Sequence, residues 1–143
     1  ENALDNFQKS YDIRKIIYAK ILNHPDLAAS QNNISIVYSD QGVYDKALDF
    51  HQQSYKIIKI IYSEKPDNTD MARSLINIAN VYFKKGEYDK ALYNYQESYN
   101  MLKIIYADIP NHPDIAGSLN NIAMVYFKKG EYDKALNNFL QSY

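Results

Sequence analysis

Residues 81–92 read VYFKKGEYDKAL, and residues 125–136 read the same letters again, 44 positions later. Working outward, the same offset carries Ala3-Leu4 to Ala47-Leu48, then to Ala91-Leu92 and Ala135-Leu136. Residues 74–98 agree with 118–142 at 19 of 25 positions, so the last two copies are close and the first is more diverged. Self-similarity at a fixed period of this length marks an architecture in which each repeat is one supersecondary unit. The 143 residues make three periods of 44 and 11 residues more.

The rarer residues test the period independently. Gly42, Gly86 and Gly130 share one phase, leaving only Gly117 outside it. Of 15 tyrosines, all but Tyr93 and Tyr95 fall into four phases, among them Tyr11, Tyr55, Tyr99 and Tyr143, and Tyr18, Tyr62 and Tyr106. Aromatic residues that recur at structural phases serve packing rather than base stacking.

Within a period, Ile115, Leu119, Ile122 and Val125 or Tyr126 step by three and four, which predicts a helix over 114–129. Pro113 and Asp114 stand in its first turn, where a missing amide donor is harmless and a negative charge meets the positive end of the helix dipole. Lys128-Lys129-Gly130 closes it with two cations and a residue suited to a left-handed backbone. From Tyr88, the positions Ala91, Leu92, Tyr95, Tyr99, Leu102, Ile105 and Tyr106 predict a second helix of about five turns. One unit is therefore an antiparallel helix pair, too thin to bury both faces alone, so neighbours must stack. Ala47, Ala79, Ala91, Ala123 and Ala135 mark where helices approach closely.

Composition narrows the function. The chain is 46% hydrophobic and 23% charged, enough to build a core, and its net charge of −1 gives no drive towards nucleic-acid phosphates or acidic membranes. With no Cys there is no disulfide, thiol nucleophile or thiolate metal site. No apolar run approaches the roughly 20 residues that span a bilayer, and no basic-then-apolar leader opens the sequence.

Leu119, Ile122, Ala123, Tyr126, Gly130, Tyr132, Ala135 and Phe139, repeated as Leu75, Ile78, Ala79, Tyr82, Gly86, Tyr88, Ala91 and Tyr95, resemble the signature of the tetratricopeptide repeat. The period is 44 rather than 34, and Lys15, Lys59 and Lys103 stand where a proline usually closes the second helix. Together with His-Pro-Asp at 24–26 and 112–114, this is similar to the long-repeat subfamily found in kinesin light chains. The resemblance implies an all-α fold, an α-solenoid of stacked antiparallel helix pairs wound as a right-handed superhelix. It divides a single array over 1–143 into a second helix of a preceding repeat at 1–22, repeats at 24–66 and 68–110, and a partial repeat at 112–143. Both ends then lack the polar caps of a finished array, and the segment is expected to be an excerpt of a longer one, with Leu4, Phe7 and Tyr11 exposing an apolar stripe that invites self-association.

Chemistry is sparse. His24 and His112 precede helix starts, where capping accounts for them, and His51 takes the phase of Phe7, Tyr95 and Phe139, as a half-buried substitute for an aromatic ring. Asp26, Asp70 and Asp114, and Asp45, Asp89 and Asp133, recur at helix amino ends, where the dipole accounts for them. Neither a phosphate loop nor a nucleophile with a base signature is present, so no enzyme, cofactor or metal site is expected. Lys84, Lys85, Lys90, Lys128, Lys129 and Lys134 interleave with Glu87, Asp89, Glu131 and Asp133, which reads as a mixed solvated face rather than a basic ridge.

What remains is the groove. The resemblance maps ligand-facing phases onto Ala29, Arg73 and Gly117; Asn32, Ile76 and Asn120; Asn33, Asn77 and Asn121; Ile36, Asn80 and Met124; Ser39, Phe83 and Phe127; and Asp40, Lys84 and Lys128. A carboxylate clamp is not assembled, because its lysine phase reads Asn32, Ile76 and Asn120. The ladder of Asn33, Asn77 and Asn121 offers donor and acceptor to the backbone of an extended peptide, or else ties neighbouring helices together. Ile36, Ile76, Phe83, Met124 and Phe127 suit apolar anchors, with Arg73, Lys84 and Lys128 favouring acidic residues. The expected function is a protein-interaction module of a larger adaptor, binding a short linear peptide or partner helix. A spacer or self-associating rod, or a peptide-sensing array attached to a catalytic or nucleotide-binding domain, stands as the alternative. The partner is expected to be protein, with no nucleic acid and no membrane, and the family resemblance implies a cytoplasmic location.

Overall fold

Each first helix begins where the sequence places a capping side chain two residues ahead of an aspartate. The structure, a computed structural model that describes residues 3–18, 24–65 and 68–142, contains seven α-helices and no strand among those residues. They are α1 (Ala3–Ile17), α2 (Pro25–Asp40), α3 (Tyr44–Ile61), α4 (Thr69–Lys85), α5 (Tyr88–Ile105), α6 (Pro113–Lys128) and α7 (Tyr132–Gln141). The repeat boundaries at 22 and 66, and Tyr143, lie outside the described residues.

The starts are built alike. The Asp26 and Asp114 amides donate to Nδ1 of His24 and His112 at 3.2 Å, and the Asp70 amide donates to Oδ1 of Asn68 at 2.7 Å. Tyr18 and Tyr106 stack flat on those imidazoles and donate to the Asp26 and Asp114 carboxylates at 3.1 Å. The tight turns that join the helices of each pair place Gly42, Gly86 and Gly130 at φ of 76°, 82° and 78°, the left-handed region foreseen for this phase. At Gly86, the Gly86 and Glu87 amides donate to the Phe83 and Tyr82 carbonyls, satisfying groups that the end of α4 leaves free.

The chain divides into two compact units, Glu1–Pro66 with α1 to α3 and Asp67–Tyr143 with α4 to α7. In the second unit α4 pairs with α5, α6 pairs with α7, and α6 packs on α5, so one hairpin stacks on the next. The predicted stripe forms the core: Ala79, Ala91, Tyr95, Ile122 and Val125 make one buried cluster, and Ala72, Leu102, Ile115 and Leu119 a second. All five close-approach alanines are buried, Ala91 completely. The Ser98 hydroxyl donates to the Ala72 carbonyl at 2.9 Å and pins α5 to α4. Between hairpins, Lys129 reaches Asp89 at 2.6 Å.

The first unit is the same construction with a more polar interior. Where the second unit has Leu75, Ala79, Phe83 and Tyr95, the first has Gln31, Ser35, Ser39 and His51, and all four are buried. Buried polar groups need partners. Ser35 donates to the Ala47 carbonyl at 2.6 Å, and Ser54 donates to Ala28 at 2.9 Å, as Ser98 does to Ala72. Nε2 of Gln31 donates to Gln53 at 3.0 Å, whereas its Oε1 is buried with no partner. α1 contributes no buried residue and holds α2 through Arg14, which donates to the Ser30 hydroxyl and the Asp26 carbonyl. Of the stripe expected on α1, Phe7 is exposed while Leu4 and Tyr11 are half-buried. His51 corrects the expectation of half-burial: it is only 4% exposed, because Asn32 gives its ring nitrogen a partner inside the hairpin.

Candidate functional site

A helix face away from the core stripe is available to a ligand only if its side chains are not consumed by the fold. In the second unit the first helices α4 and α6 leave between them a cavity of about 350 Å³, lined by Thr69, Arg73, Ile76, Leu102, Pro113, Asp114, Gly117, Ser118 and Asn121. Its floor is apolar: Ile76 packs on both core clusters and Leu102 belongs to one of them. Its rim is polar. Arg73 extends into solvent and pairs with Asp70, one helical turn away, and the Asp114 carboxylate accepts from Tyr106. Gly117 occupies the phase of Ala29 and Arg73, and a Cβ built there would meet nothing within 4 Å. The missing side chain is part of what opens the space.

Of the residues singled out in the sequence, Arg73, Ile76 and Asn121 line this one cavity. Further along the same helices, Asn77 is half-buried, and Phe83 is half-buried with its ring 5.6 Å from Tyr88. Lys84, Asn80, Asn120 and Lys128 are exposed, as are Met124 and Phe127, at 40% and 50%. Asn32, Asn33 and Ile36 belong to the first unit, where Asn33 and Ile36 are exposed.

Three of the asparagines have their amide oxygens engaged within their own hairpins. Oδ1 of Asn32 meets Nδ1 of His51 at 2.6 Å, Oδ1 of Asn80 accepts from the Tyr95 hydroxyl at 2.5 Å, and Oδ1 of Asn120 accepts from the Ser142 hydroxyl at 2.8 Å. In each case the carbonyl end of the amide is tied to the second helix of the same hairpin or the residue that caps it. Each of these amide oxygens carries one bond and keeps a second lone pair, so the engagement fixes the side chain without ending its capacity to accept. Leu102, Thr69 and Ser118, which line the cavity, escaped the sequence reading because they belong to phases assigned to the core or to helix starts. Tyr95 escaped it because its phase also holds Phe7, His51 and Phe139 and reads as plain aromatic packing. Its departure from the four tyrosine phases was the available signal.

The lysine rows are paired. Glu87 lies between Lys85 at 2.7 Å and Lys90 at 2.5 Å, and Glu131 between Lys134 at 2.6 Å and Lys129 at 3.3 Å. Hydrogen bonds from Lys85 and Lys90 hold the Glu87 carboxyl below its ordinary range, and those from Lys134 and Lys129 do the same for Glu131. Among the described residues no three His, Asp or Glu side chains gather as a metal site, and no helix is long and apolar enough to cross a membrane.

The tetratricopeptide repeat family model matches residues 1–60 and 70–143, and the chain belongs to that family, whose repeats generally serve as protein-interaction scaffolds. Among solved structures, BtubC (BKLC) from P. vanneervenii is similar over 92% of this chain and 52% of its own, with a TM-score of 0.79 at 14% identity. A Podosopora anserina protein described as a kinesin light chain of nearly identical repeats is similar over 95% of this chain and 65% of its own, with a TM-score of 0.69 at 23% identity. A singly substituted form of that protein gives the same values. At these identities the likeness establishes the fold, and the chain spans between half and two thirds of those structures. No curated protein matches it.

Proposed function

We propose that this chain docks a protein partner, as a short linear segment or a partner helix, on the face formed by its first helices, within a larger adaptor. The observation that carries this reading is the cavity between α4 and α6, where an apolar floor is framed by Arg73 and Asn121 and room is made by Gly117. A small number of convergent polar groups around an apolar pocket is the usual composition of a binding site. Asn77, Asn80, Phe83 and Lys84 on α4, with Asn120, Met124, Phe127 and Lys128 on α6, extend the surface beyond the cavity. Asn32, Asn33 and Ile36 present the corresponding phases in the first unit. The cations Arg73, Lys84 and Lys128 favour a partner with acidic residues beside its apolar anchor.

Gly117→Leu tests this reading, because it fills the cavity from a helical position where an added Cβ meets nothing within 4 Å. Partner capture should be lost with helical circular dichroism unchanged, and Arg73→Glu should weaken it selectively for acidic partners. Undiminished capture by both variants refutes the groove as the docking site.

A further inference from the structure

We propose that the second unit carries a small-molecule site apart from the docking face: a pocket where α5, α6 and α7 meet, which takes a small organic acid, an apolar body joined to one carboxylate.

The pocket has a volume of about 260 Å³ and shares no lining residue with the cavity between α4 and α6. Tyr99 and Lys103 of α5, Tyr106 just beyond it, Ile115 and Leu119 of α6, and Gln141 of α7 form its walls. The floor is apolar, since Ile115 and Leu119 are buried in one core cluster with Ala72 and Leu102. The Tyr106 hydroxyl is spent on Asp114, so this residue contributes its ring.

The same junction recurs in the first unit, and there the protein fills it with a side chain of its own. Tyr11, Lys15 and Tyr18 stand at the phases of Tyr99, Lys103 and Tyr106, Leu27 at that of Ile115, and Gln53 at that of Gln141. The difference is Gln31, which takes the place of Leu119. Its Nε2 donates to Oε1 of Gln53 at 3.0 Å and to the Tyr11 hydroxyl at 3.4 Å, so a polar group bridges the tyrosine and the glutamine. Leu119 has no such group. Gln141 donates only along its own helix, to Asn137 at 3.3 Å, just as Gln53 donates to Asp49 at 2.9 Å. The Tyr99 hydroxyl has no hydrogen-bond partner among the described residues. The second unit therefore keeps both groups that Gln31 joins and lacks the bridge between them.

Charge decides what completes it. Lys103 lies over the Tyr99 ring, 5.5 Å from its centroid, and pairs with no carboxylate among the described residues, whereas Lys85, Lys90, Lys129 and Lys134 all pair with glutamates. The Tyr99 hydroxyl, the Lys103 ammonium and the second N–H of Gln141 are three donors, and a carboxylate accepts from all of them. The volume falls just short of the roughly 300 Å³ at which small-molecule sites usually begin, so the occupant is small. Asp and Glu join a carboxylate to only one or two methylenes, too little to cover Ile115 and Leu119. A free acid fits where a partner's acidic side chain does not.

Titration of the whole chain with 3-phenylpropionate and with octanoate, followed by methyl NMR, tests the proposal. The Ile115 and Leu119 methyl shifts should saturate with at least one acid, half-way at about 1 mM or below, while those of Ile76 stay in place. Saturation by neither acid, or shifts centred on Ile76, overturns the site. The matching amide should bind about fivefold more weakly than the acid, and that preference should vanish in Lys103→Gln. Equal affinity for acid and amide in the parent overturns the carboxylate. Leu119→Gln installs the side chain with which the first unit closes its own junction, so the Ile115 shifts should no longer respond, with circular dichroism unchanged. Tyr99→Phe keeps the ring and loses the hydroxyl, and should weaken binding about fivefold whether or not Leu119→Gln folds. Undiminished binding by either folded variant overturns the assignment.

Discussion

Acidification should loosen the first unit through His51. Its imidazole is 4% exposed, and burial lowers its pKa from 6.5 to about 4. The unfolded chain therefore takes up a proton there as pH falls through 6.5, while the folded chain resists until near pH 4. Between those values the unfolded state binds more protons, so stability is full above the upper pKa and declines towards the lower. From about pH 7.5 to about pH 5 the loss comes to about 2 kcal/mol, most of the roughly 3 kcal/mol that the whole shift represents. Stopping near pH 5 keeps the carboxylates largely outside the window. To leave His51 as the one histidine of the three, the background is made His24→Asn and His112→Asn, with the residue that Asn68 already supplies at that phase. Amide exchange of α2 and α3 during urea unfolding reports this unit directly. His51→Phe, the residue of Phe7 and Phe139, should show no such slope between the two pH values. A first unit equally stable at both, or one that weakens as much in His51→Phe, refutes the reasoning.

Three further outcomes follow from the packing. Gln31→Leu puts into the first unit the residue that Leu75 and Leu119 supply elsewhere and removes a buried oxygen with no partner, so the melting temperature should rise, by about 1 kcal/mol of stability; a fall would show that the Gln53 hydrogen bond outweighs the orphaned oxygen. Gly86→Val should cost about 1–2 kcal/mol in chemical denaturation through its left-handed backbone, since an added Cβ there meets nothing within 4 Å, and Gly86→Ala should cost less; an unchanged midpoint for Val would contradict the strain. Gly117→Ala should stabilise α6 by about 1 kcal/mol in thermal melts, because the glycine is helical and its surroundings are open. Destabilisation would mean that the cavity wall depends on the bare backbone.

Much of the fold was legible because each element is announced by local physics and then repeated. The stripe of Ile115, Leu119 and Ile122, the Pro-Asp starts, the glycine turns and the buried alanines follow from helix periodicity, dipole and steric rules that need no tertiary context. The candidate site was only partly legible. Arg73, Ile76 and Asn121 come together because phase alone places them on facing surfaces of α4 and α6. The state of the asparagines was not readable, since whether an amide is available depends on what the neighbouring helix sends across. Tyr95 and His51 share a phase yet catch asparagines a turn apart, and Asn120 is held by a serine from another phase altogether. The polar interior of the first unit was visible letter by letter, in Gln31, Ser35, Ser39 and His51, but its burial depends on partners such as Ala47 and Asn32 that only the folded hairpin supplies.

The duplicated string of residues 81–92 and 125–136 has one more consequence. In both copies the glycine takes a left-handed backbone, the lysine of the second helix lies over the tyrosine of the first at 5.4 and 5.3 Å, and that lysine pairs with the glutamate after the turn. Twelve letters thus carry a transferable instruction, and a substitution made in one copy leaves the other as its unaltered reference within the same molecule.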